Sequence, residues 1–357
     1  MMKIFHIITH FDLGGAEKVA INICKSKNCN YEYHIVEVVR GRSEFTTQML
    51  KELSQNNIQY HRSPIPSNKL GIILFPIWFL ILYLKHHPTI IHTHTEIPDL
   101  SIYLFHFIYP WHKKYVRTIH NTELWNKWKS IGKKVELFFQ KRKANVAISI
   151  ATQEEYIKAY GDSHIPIIYN GIERTKQQKF PYLQPGKINI LFAGRMEHQK
   201  GILELVTVIK ELNKKESPYF FHVVGNGTLR SYAETETKQF SNIRFYDKIF
   251  GISSYLESFD YLFMPSNHEG LPLISIEASL AHTPPIINHC KGLAETIPPQ
   301  WILSVNNNSI DEYITLFEKK LPTINYQTLT NEAYNYAIEH FDITVMQKQY
   351  EKLYLSL

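Results

Sequence analysis

The stretch YLFMPSNHEGLPLISIEASLAHTPPIINH, residues 261–289, contains the structural unit that repeats along this chain. An apolar run, YLFM, leads into a polar loop around Gly270, an apolar helical pattern follows, and a second apolar run, PIIN, closes the stretch. Short apolar runs that alternate with helices are typical of parallel β-sheets, because each connection between parallel strands carries a helix. The stretch therefore predicts a strand, a loop at its carboxyl end, a helix and a second strand.

The same alternation occurs in two blocks, one on each side of a polar segment. We predict strands at KIFHII, YHIVEVV, TIIHTHT, YVRTIHN and ANVAIS in the first block, and at INILFAG, YFFHVVG, IRFYD, YLFMPS and PPIINH in the second. The segment between the blocks carries two prolines and a glycine, a composition typical of a linker. We therefore predict an α/β protein with two doubly wound domains, at 1–175 and 188–339, joined by a linker at 176–187. Ligands of such sheets bind at the carboxyl ends of the strands.

Length and composition agree with two globular domains and exclude several classes of protein. A chain of 357 residues is too long for one hydrophobic core, and 44% hydrophobic with 20% charged residues are ordinary values for globular proteins. Because the chain has no low-complexity tract or internal repeat, disordered and solenoid proteins are excluded. The net charge of +6 favours contact with phosphate groups, whether in nucleotides, nucleic acid or anionic lipids.

The cysteines and the first residues indicate a cytoplasmic protein. Three cysteines without a CxxC pair support neither a disulfide framework nor a zinc ribbon, which fits a reducing compartment. The start of the chain, MMKIFHIITHF, lacks an apolar stretch of signal-peptide length and predicts a buried first strand.

One segment, LGIILFPIWFLILYL at 70–84, is apolar throughout. As a helix it would span about 22 Å, which is less than the roughly 30 Å of a bilayer core. We therefore expect a helix that is buried or lies at an interface, in preference to a membrane span. Peripheral membrane contact stays as an alternative.

Glycines follow several of the predicted strands. Gly14 and Gly15 precede a helix that opens at Ala16, and paired glycines let the backbone approach an anion at a helix start. A plain tight turn explains this pair equally well. Gly194 and Gly225 end two later strands. Neither GxGxxG nor GxxxxGK[ST] occurs, so the nicotinamide and Walker-type fingerprints are absent.

A basic loop, GRMEHQKG, follows the strand INILFAG. Arg195 offers a planar fork of donors and Lys200 offers a compact charge, a pairing suited to two linked phosphates. The alternative is a solvated basic turn. The loop therefore favours a diphosphate ligand.

Two glutamates, Glu269 and Glu277, flank the predicted start of a helix in the opening stretch. Eight positions along an ideal helix span about 12 Å. A retaining glycosidase needs carboxylates about 5–5.5 Å apart and an inverting one about 6.5–9.5 Å apart, so the spacing argues against a hydrolase. It suits one extended ligand, with sugar hydroxyls at Glu269, ribose hydroxyls at Glu277 and phosphates at the helix amides between them. Taken with the basic loop, this describes a nucleotide sugar.

Together these residues resemble the retaining GT-B fold glycosyltransferases of family 4, also called glycosyl transferases group 1, over nearly the whole chain. FDLGGAEKVAINI is similar to the family's glycine loop, IIHTHT and RTIHN to its histidine-bearing strands, IYNGIE to the segment before its hinge, and FAGRMEHQKG to its phosphate loop. The most specific match is FDYLFMPSNHEGLPLISIEASLAHTPPII, which carries both glutamates of the family motif. The resemblance implies two facing Rossmann-like domains with a cleft between them, and a C-terminal helix at 340–357 that returns to the first domain.

The resemblance also implies a role for individual residues. The catalytic set would be His120, Arg195, Lys200 and Glu269, with His120 near the reacting sugar; a satisfied core histidine is the alternative for His120. Arg195 and Lys200 would neutralise the diphosphate, Glu269 would hold the donor sugar and Glu277 the ribose. The whole donor-binding set would be Gly14, Gly15, Gly194, Arg195, Lys200, Gly225, Glu269, Gly270, Leu271, Pro272, Leu273 and Glu277.

The implied reaction transfers a sugar with retention and releases a nucleoside diphosphate. We expect a uridine donor. Guanosine stays as the alternative, because Asp247 departs from the glycine that the family often has near the base loop. No metal or other cofactor is expected, since the chain has no DxD. In HTHTE, moreover, His92 and Glu96 would lie roughly 13 Å apart along a strand, too far for one ion.

The acceptor side is less specific. Residues 111–143 interleave aromatic and basic residues, a composition that favours an anionic membrane surface. We assign to this surface Lys127, Lys129, Lys133, Lys134, Lys141, Arg142 and Lys143. The expected acceptor is a glycan or a polyprenyl-diphosphate-linked sugar at the inner face of the cytoplasmic membrane, and a solvated basic face is the alternative. Nucleic acid is not expected, because no recognised nucleic-acid module is present.

The function that these patterns favour is glycosyl transfer in the synthesis of bacterial surface polysaccharide. A nucleotide-sugar epimerase of the same fold would share the donor site but need no acceptor. A non-catalytic protein that binds membranes or anions would keep the basic surface and turn over nothing.

Overall fold

The computed structural model describes residues 1–12, 14–126, 128–162 and 164–357. The chain divides into two compact units, one formed by Met1–Gly171 with Ile343–Leu357 and the other by Ile172–Asp342. Lys127, which belongs to the predicted basic surface, lies outside the described residues.

The first unit contains a parallel sheet with the strand order β3-β2-β1-β4-β5-β6. Its strands are β1 (Met2–Ile8), β2 (Tyr31–Glu37), β3 (Gln59–His61), β4 (Ile90–His94), β5 (Tyr115–Ile119) and β6 (Asn145–Ala147). The helices between them are α1 (Gly15–Cys24), α2 (Glu44–Gln55), α3 (Asn68–His86), α4 (Glu96–Ile108), α5 (Lys129–Gln140) and α6 (Ile150–Tyr160). Local chemistry sets some helix ends: the Ser149 side chain accepts a hydrogen bond from the Thr152 amide at the start of α6.

The second unit repeats this topology with the strand order β12-β11-β10-β7-β8-β9. Its strands are β7 (Ile188–Ala193), β8 (Tyr219–Val224), β9 (Ile243–Tyr246), β10 (Tyr261–Met264), β11 (Pro285–Asn288) and β12 (Ser304–Val305). Its helices are α7 (Ile202–Leu212), α8 (Arg230–Thr237), α9 (Leu273–Leu280), α10 (Ile310–Thr315) and α11 (Tyr326–Phe341). The prediction of two doubly wound α/β domains is confirmed, while the two short edge strands β3 and β12 were not predicted.

The segment 176–187, predicted to be a linker, is part of the second unit. Phe180 is 2% exposed within the core of that unit, and its ring centroid lies 5.0 Å from that of Phe259. The Gln178 amide donates to the carbonyl of Ser254 over 2.7 Å, and the Phe180 amide donates to the Ser258 hydroxyl over 2.8 Å. The segment is polar in composition, but its one buried aromatic side chain, Phe180, packs into the core of the second unit.

The last helix, α12 (Ile343–Ser356), belongs to the first unit and packs against α1. Tyr350 and Tyr354 are buried on its inner face. Glu351 accepts hydrogen bonds from the Ser26 hydroxyl and, over 2.9 Å, from the Asn28 side-chain amide. These contacts extend the core of the first unit with residues from the end of the chain.

Helix α3 is longer than the apolar segment from which it was predicted. It has 19 residues, so its length is about 28 Å. Among the described residues it is the helix whose length and composition would suffice to cross a membrane, and 33% of its most apolar window is buried. Ile72, Phe75 and Phe79 are at most 6% exposed and belong to the hydrophobic core of the first unit. The helix is therefore a packed element of this unit along one of its faces.

Candidate functional site

Two loops of the second unit meet at the carboxyl ends of the adjacent strands β7 and β10. Strand order changes direction between these two strands, and ligands of doubly wound sheets bind at such points. The loop after β7 carries Arg195 and Lys200, and the loop after β10 carries Glu269. The topology therefore places the two predicted donor motifs side by side.

Lys200 and Glu269 form an ion pair, with Nζ 2.6 Å from Oε1. The Glu269 side chain is only 7% exposed and that of Lys200 is 19% exposed. Shielded charge pairs of this kind are strongly oriented, because little water competes for their hydrogen bonds. The structure thus brings together a cation and a carboxylate that were predicted separately from motifs 69 residues apart in sequence.

Arg195 is exposed on the same loop, and its guanidinium donates to the Gln199 side chain over 3.3 Å. Gln199 in turn donates to the carbonyl of His268 over 3.1 Å, and its own carbonyl accepts from the Asn267 amide over 2.8 Å. These bonds tie the Arg195 loop to the Glu269 loop. Arg195 is therefore an exposed cation on a loop that is hydrogen-bonded to the Glu269 loop.

Glycines allow these loops to touch backbone to backbone. Gly201 has φ +70°, and a Cβ at that position would lie 1.8 Å from the carbonyl oxygen of Pro265. Gly225 has φ +137°, and a Cβ there would lie 2.0 Å from the carbonyl oxygen of Gly194. The predicted glycines Gly194 and Gly225 thus contact each other backbone to backbone, at the ends of β7 and β8. Gly201 allows the Lys200 loop to approach the Glu269 loop in the same way.

Three residues that support the Glu269 loop were missed at the sequence level. Gly292 has φ +77°, and a Cβ there would lie 2.2 Å from the carbonyl oxygen of Glu269. Asn288 donates to the carbonyl of Ser266 over 2.9 Å, and Asn308 donates to the carbonyl of Pro265 over 3.0 Å. The available signal was weak: Asn288 is the last residue of β11, and Asn308 lies three residues beyond the end of β12.

Helix α9 begins at Leu273, directly after the Glu269 loop. Pro272 is the residue before the helix rather than its first residue, with φ −76° and ψ 111°. Leu271 and Pro272 are buried, whereas Gly270 and Leu273 are partly exposed. The first amides of α9 thus lie next to Glu269, where a helix start favours an anionic group.

Glu277 lies one helical turn into α9 and does not take part in the Lys200–Glu269 pair. It lines a small surface pocket together with Glu173, Arg174, Thr175 and Ser253, all of the second unit. Glu269 and Glu277 therefore lie in different surroundings within the second unit. The role of Glu277 at the ribose stays a prediction.

Asp247 is tied to the Gly225 loop by Arg230, the first residue of α8. The Arg230 guanidinium lies 2.5 Å from the Asp247 carboxylate, and it donates to the carbonyl of Gly225 over 3.1 Å. Asp247 itself is 85% exposed. Arg230 was not singled out in the sequence, because a lone arginine after a glycine-rich turn is ordinary.

The predicted residues of the first unit lie at the carboxyl ends of β1 and β5. Gly14 precedes α1 in extended conformation, and a Cβ on it would meet the Glu17 carboxylate at 2.1 Å. Burial raises the pKa of this carboxyl group. Gly15 is exposed, and a Cβ on it would meet nothing within 4 Å. The start of α1 therefore also carries the carboxyl group of Glu17, which the pair of glycines did not predict.

His120 follows β5 and is half-buried at the end of a hydrogen-bonded chain of side chains. Its Nε2 lies 3.0 Å from Nδ1 of His94, and His94 Nε2 lies 3.0 Å from Nδ1 of His6. Tyr354 of α12 contacts His92 Nδ1 over 2.8 Å and His6 Nε2 over 3.5 Å. Burial lowers the pKa of His6 and of His120 to about 3, so these imidazoles are neutral near pH 7. His120 is thus hydrogen-bonded to His94 and partly exposed, and its place near the reacting sugar stays a prediction.

Three of these histidines, His6, His92 and His94, have ring nitrogens within 4.8 Å of one another, an arrangement that could hold a metal ion. Glu96, which the sequence pattern grouped with His92 and His94, is the first residue of α4. The nitrogens of the three rings already pair with each other, with Tyr354, with Thr118 and with His120. Hydrogen bonding accounts for the cluster, and the absence of a metal from the reaction stays a prediction.

The basic surface is formed largely by α5. Lys129, Lys133 and Lys134 of α5 are exposed, as are Lys141 and Lys143 beyond the helix end. Arg142 differs, because its guanidinium lies 3.8 Å from the ring centroid of Phe138 and donates to the carbonyl of the same residue over 2.9 Å. Arg142 is therefore engaged in holding the end of α5, whereas the lysines face solvent.

Two family models match the chain. The model described as Glycosyltransferase Family 4 matches residues 13–176, and the model described as Glycosyl transferases group 1 matches residues 173–335. Together they extend over both compact units.

Two curated proteins illustrate the similarity in sequence. An uncharacterized 41.2 kDa protein in the cps region of Klebsiella pneumoniae is 28% identical over 204 residues, which cover 54% of this chain and 55% of that protein. This chain thus matches about half the length of that relative. The capsular polysaccharide biosynthesis glycosyltransferase CapH of Staphylococcus aureus is 26% identical over 294 residues, which cover 78% of this chain and 79% of CapH.

Among solved structures, Anabaena HepE in complex with UDP has a TM-score of 0.78 at 17% identity, with 100% of both chains covered. At this identity the likeness establishes the fold.

Proposed function

We propose that this chain, a member of the group 1 glycosyltransferases of GT-B fold, transfers a hexosyl group from a UDP-sugar to a carbohydrate acceptor, with retention of configuration. The acceptor that we propose is a glycan or a polyprenyl-diphosphate-linked sugar, in the synthesis of a bacterial surface polysaccharide. The observation that carries the proposal is the shielded Lys200–Glu269 pair at the carboxyl ends of β7 and β10, beside the start of α9.

The pair provides the two kinds of group that a nucleotide sugar requires. Lys200 and the exposed Arg195 supply positive charge for the diphosphate, and the first amides of α9 add further donors. The Glu269 carboxylate accepts hydrogen bonds from sugar hydroxyls. Because Lys200 and Glu269 contact each other, the sugar and the phosphate nearest to it would lie within reach of one shared charge pair.

These charges would act on the leaving group. As the bond between the anomeric carbon and the diphosphate oxygen breaks, negative charge develops on the diphosphate and is stabilised by Arg195 and Lys200. The acceptor hydroxyl then forms its bond on the same face of the sugar, and its proton passes to the departing phosphate oxygen. This course needs no protein nucleophile, and the cations of the site take the place that a metal ion has in other transferases.

The remaining parts of the donor are assigned by position. Glu277, in its pocket on α9, would hold the ribose, and the region around Asp247 and Arg230 would lie near the base. Support for uridine comes from HepE, which was crystallised with UDP. His120 and the Gly15 amide stay proposed as donor-binding groups, and a neutral imidazole at His120 can both donate a hydrogen bond to a sugar hydroxyl and accept one from it.

We propose the acceptor and the location of the enzyme from the similarity to CapH and from the positive charge of α5. CapH is named for capsular polysaccharide biosynthesis. The exposed lysines of α5 suit an acceptor carried by an anionic membrane surface. We therefore place the enzyme in the cytoplasm, at the inner face of the cytoplasmic membrane.

The test is release of nucleoside diphosphate from a panel of UDP- and GDP-sugars, with and without membrane lipid extract. We expect lipid-dependent release from one donor, and a loss of at least about 100-fold in Lys200→Ala and Glu269→Ala, because each change leaves the other charge unpaired in a shielded site. Lys214→Ala is the matched control, since Lys214 pairs with Glu211 on the exposed surface of the same unit. It should retain full activity.

Other outcomes would contradict the proposal. Absence of release from every donor, together with absence of nucleotide binding, would overturn the donor site. Conversion of the donor sugar into an isomer without any acceptor would instead identify an epimerase.

A further inference from the structure

Helix α3 has an outer face that no other described element covers. Its six large apolar side chains recur at intervals of three and four residues, and each is between 41% and 63% exposed. They are Leu70, Ile73, Leu74, Ile77, Ile81 and Leu84. Contiguous exposed apolar surface of this kind on a protein marks a site of interaction.

Exposed aromatic residues lie at and just beyond the end of α4, the helix that packs against α3. Tyr83 packs on Tyr109 with ring centroids 4.6 Å apart, and Tyr109 packs on Trp111 over 5.2 Å. Trp111 is 72% exposed, and Phe107 near the end of α4 is 68% exposed. Tryptophan is favoured where an apolar surface meets the polar headgroups of a membrane.

The basic residues of α5 lie on the same side of the sheet. Helix α4 packs against both α3 and α5, and right-handed crossovers place all three helices on one face. The exposed residues of α5 include Lys133, Lys134 and Leu137, and the exposed Lys141 follows directly after the helix. The outer layer of the first unit thus carries an apolar stripe on α3 and a row of cations on α5.

Acidic residues are nearly absent from this layer. Helix α3 contains none, and its exposed apolar side chains lie between Lys69 and Lys85 of the same helix, both of which are exposed. From the start of α4 to the end of α5 the acidic residues are Glu96, Asp99, Glu123 and Glu136, and the buried Arg117 binds Asp99 and Glu136. An apolar stripe flanked by cations is complementary to an anionic lipid surface.

The inner face of α3 prevents the helix from leaving the protein. Phe75 and Phe79 are fully buried in the core, and a Cβ on Gly71 would lie 2.8 Å from a side-chain methyl of Val39. A membrane span would require this core to be opened. The helix can therefore meet lipid only along its outer face, parallel to the membrane.

We propose that the outer face of α3, with Phe107 and Trp111, is a docking surface that inserts into the headgroup region of an anionic bilayer. A second copy of the chain fits this face less well, because a symmetric contact would bring the lysine rows of two copies together. The inference deepens the proposed function, on which it rests for the presence of a lipid-linked acceptor. Docking can be measured without turnover, so failure of one is distinguishable from failure of the other.

The test is co-sedimentation of the full chain with vesicles of phosphatidylcholine alone or of equal parts phosphatidylcholine and phosphatidylglycerol. We expect binding to the anionic vesicles, and a fall of at least about tenfold in the ratio of bound to free protein for Ile77→Ser/Ile81→Ser. The matched control is Ile302→Ser/Leu355→Ser, which removes two exposed apolar side chains elsewhere, 48% and 71% exposed. It should bind as the wild type does.

The charge component has its own pair of variants. Lys133→Gln/Lys134→Gln should weaken binding to anionic vesicles, and Lys214→Gln/Lys215→Gln, a neighbouring pair of exposed lysines in the second unit, should not. Retention of UDP binding by the Ile77→Ser/Ile81→Ser variant would show that its donor site is intact.

Three outcomes would overturn the proposal. They are absence of wild-type binding to anionic vesicles, equal binding to neutral and anionic vesicles, and unchanged binding of Ile77→Ser/Ile81→Ser. A wild-type dimer that this variant dissociates, without vesicle binding by either protein, would assign the face to contact between copies.

Discussion

At the scale of single residues, the candidate site depends on glycines whose missing side chains let two loops meet. Gly201 is the clearest case, because it combines a positive φ with a carbonyl oxygen where its Cβ would lie. Any larger residue must move the Glu269 loop away from Lys200. The distance between these two charges is therefore set in part by a residue that carries no functional group.

We expect Gly201→Ala to lower the free energy of unfolding of the second unit by about 2–5 kcal/mol, since it adds both backbone strain and overlap. Gly186 is the matched control: its φ is +73°, but a Cβ there meets nothing within 4 Å. Gly186→Ala should cost only the strain, about 1–2 kcal/mol. Urea unfolding of both variants measures the difference, and equal costs would contradict the close approach at Pro265.

At the scale of elements, the first unit is held together by a buried ion triad. Arg117 on β5 lies 2.7 Å from the Asp99 carboxylate on α4 and 2.6 Å from the Glu136 carboxylate on α5. All three side chains are at most 2% exposed. Burial raises the pKa of Asp99 to about 7 even though Arg117 opposes the shift, whereas Arg117 and its hydrogen bonds outweigh burial and lower the pKa of Glu136. The triad therefore holds α4 and α5 against β5, in the same layer of helices as α3.

We expect Arg117→Met to destabilise the first unit by about 3–5 kcal/mol, because two buried carboxyl groups lose their cation. Lys214→Met, which breaks an exposed pair in the second unit, should change stability by no more than about 0.5 kcal/mol. Thermal or urea unfolding compares the two variants. A small effect of Arg117→Met would mean that the triad contributes little to the packing of α4 and α5.

At the scale of the whole molecule, the two units share a topology but differ in their buried titratable groups. The first unit contains the chain of His6, His92, His94 and His120, and burial lowers the pKa of each. In the second unit, burial lowers the pKa of His222 to about 4. Neutral buried histidines make the folded state bind fewer protons than the unfolded chain, so acid should affect the first unit more.

We expect the stability of the first unit to fall as pH drops below about 6.5, where histidines of the unfolded chain take up protons. Each histidine adds a slope of up to about 1.4 kcal/mol per pH unit, and the loss continues towards the lowered pKa of the folded state. Asp99 and Glu17 oppose this loss of stability. Burial raises the pKa of each carboxyl group, so on acidification the folded state takes up one proton at each of them before the unfolded chain does. Hydrogen exchange at pH 7 and pH 5, resolved by unit, provides the measurement. Equal losses in both units would contradict the assignment.

Much of the fold and the outline of the site could be predicted because their signals are local. Apolar runs that alternate with helical patterns predicted the inner strands, and the rule that ligands bind at carboxyl ends grouped Arg195, Lys200 and Glu269. The edge strands β3 and β12 have only three and two residues, too few for a pattern. The supporting residues Asn288 and Asn308 carry no distinctive spacing.

The amino-acid sequence by itself determined the alternation of strands and helices, the order of the two domains and the residue types at the strand ends, because hydrophobic periodicity and turn chemistry act between near neighbours. Only the tertiary structure decided that Lys200 pairs with Glu269 and that one apolar face of α3 stays exposed. It also decided that the predicted linker belongs to the second unit, because Phe180 is buried there. The physical reason is that burial and pairing depend on groups distant in sequence. An apolar side chain at 77 and one at 79 look alike until the sheet covers one of them.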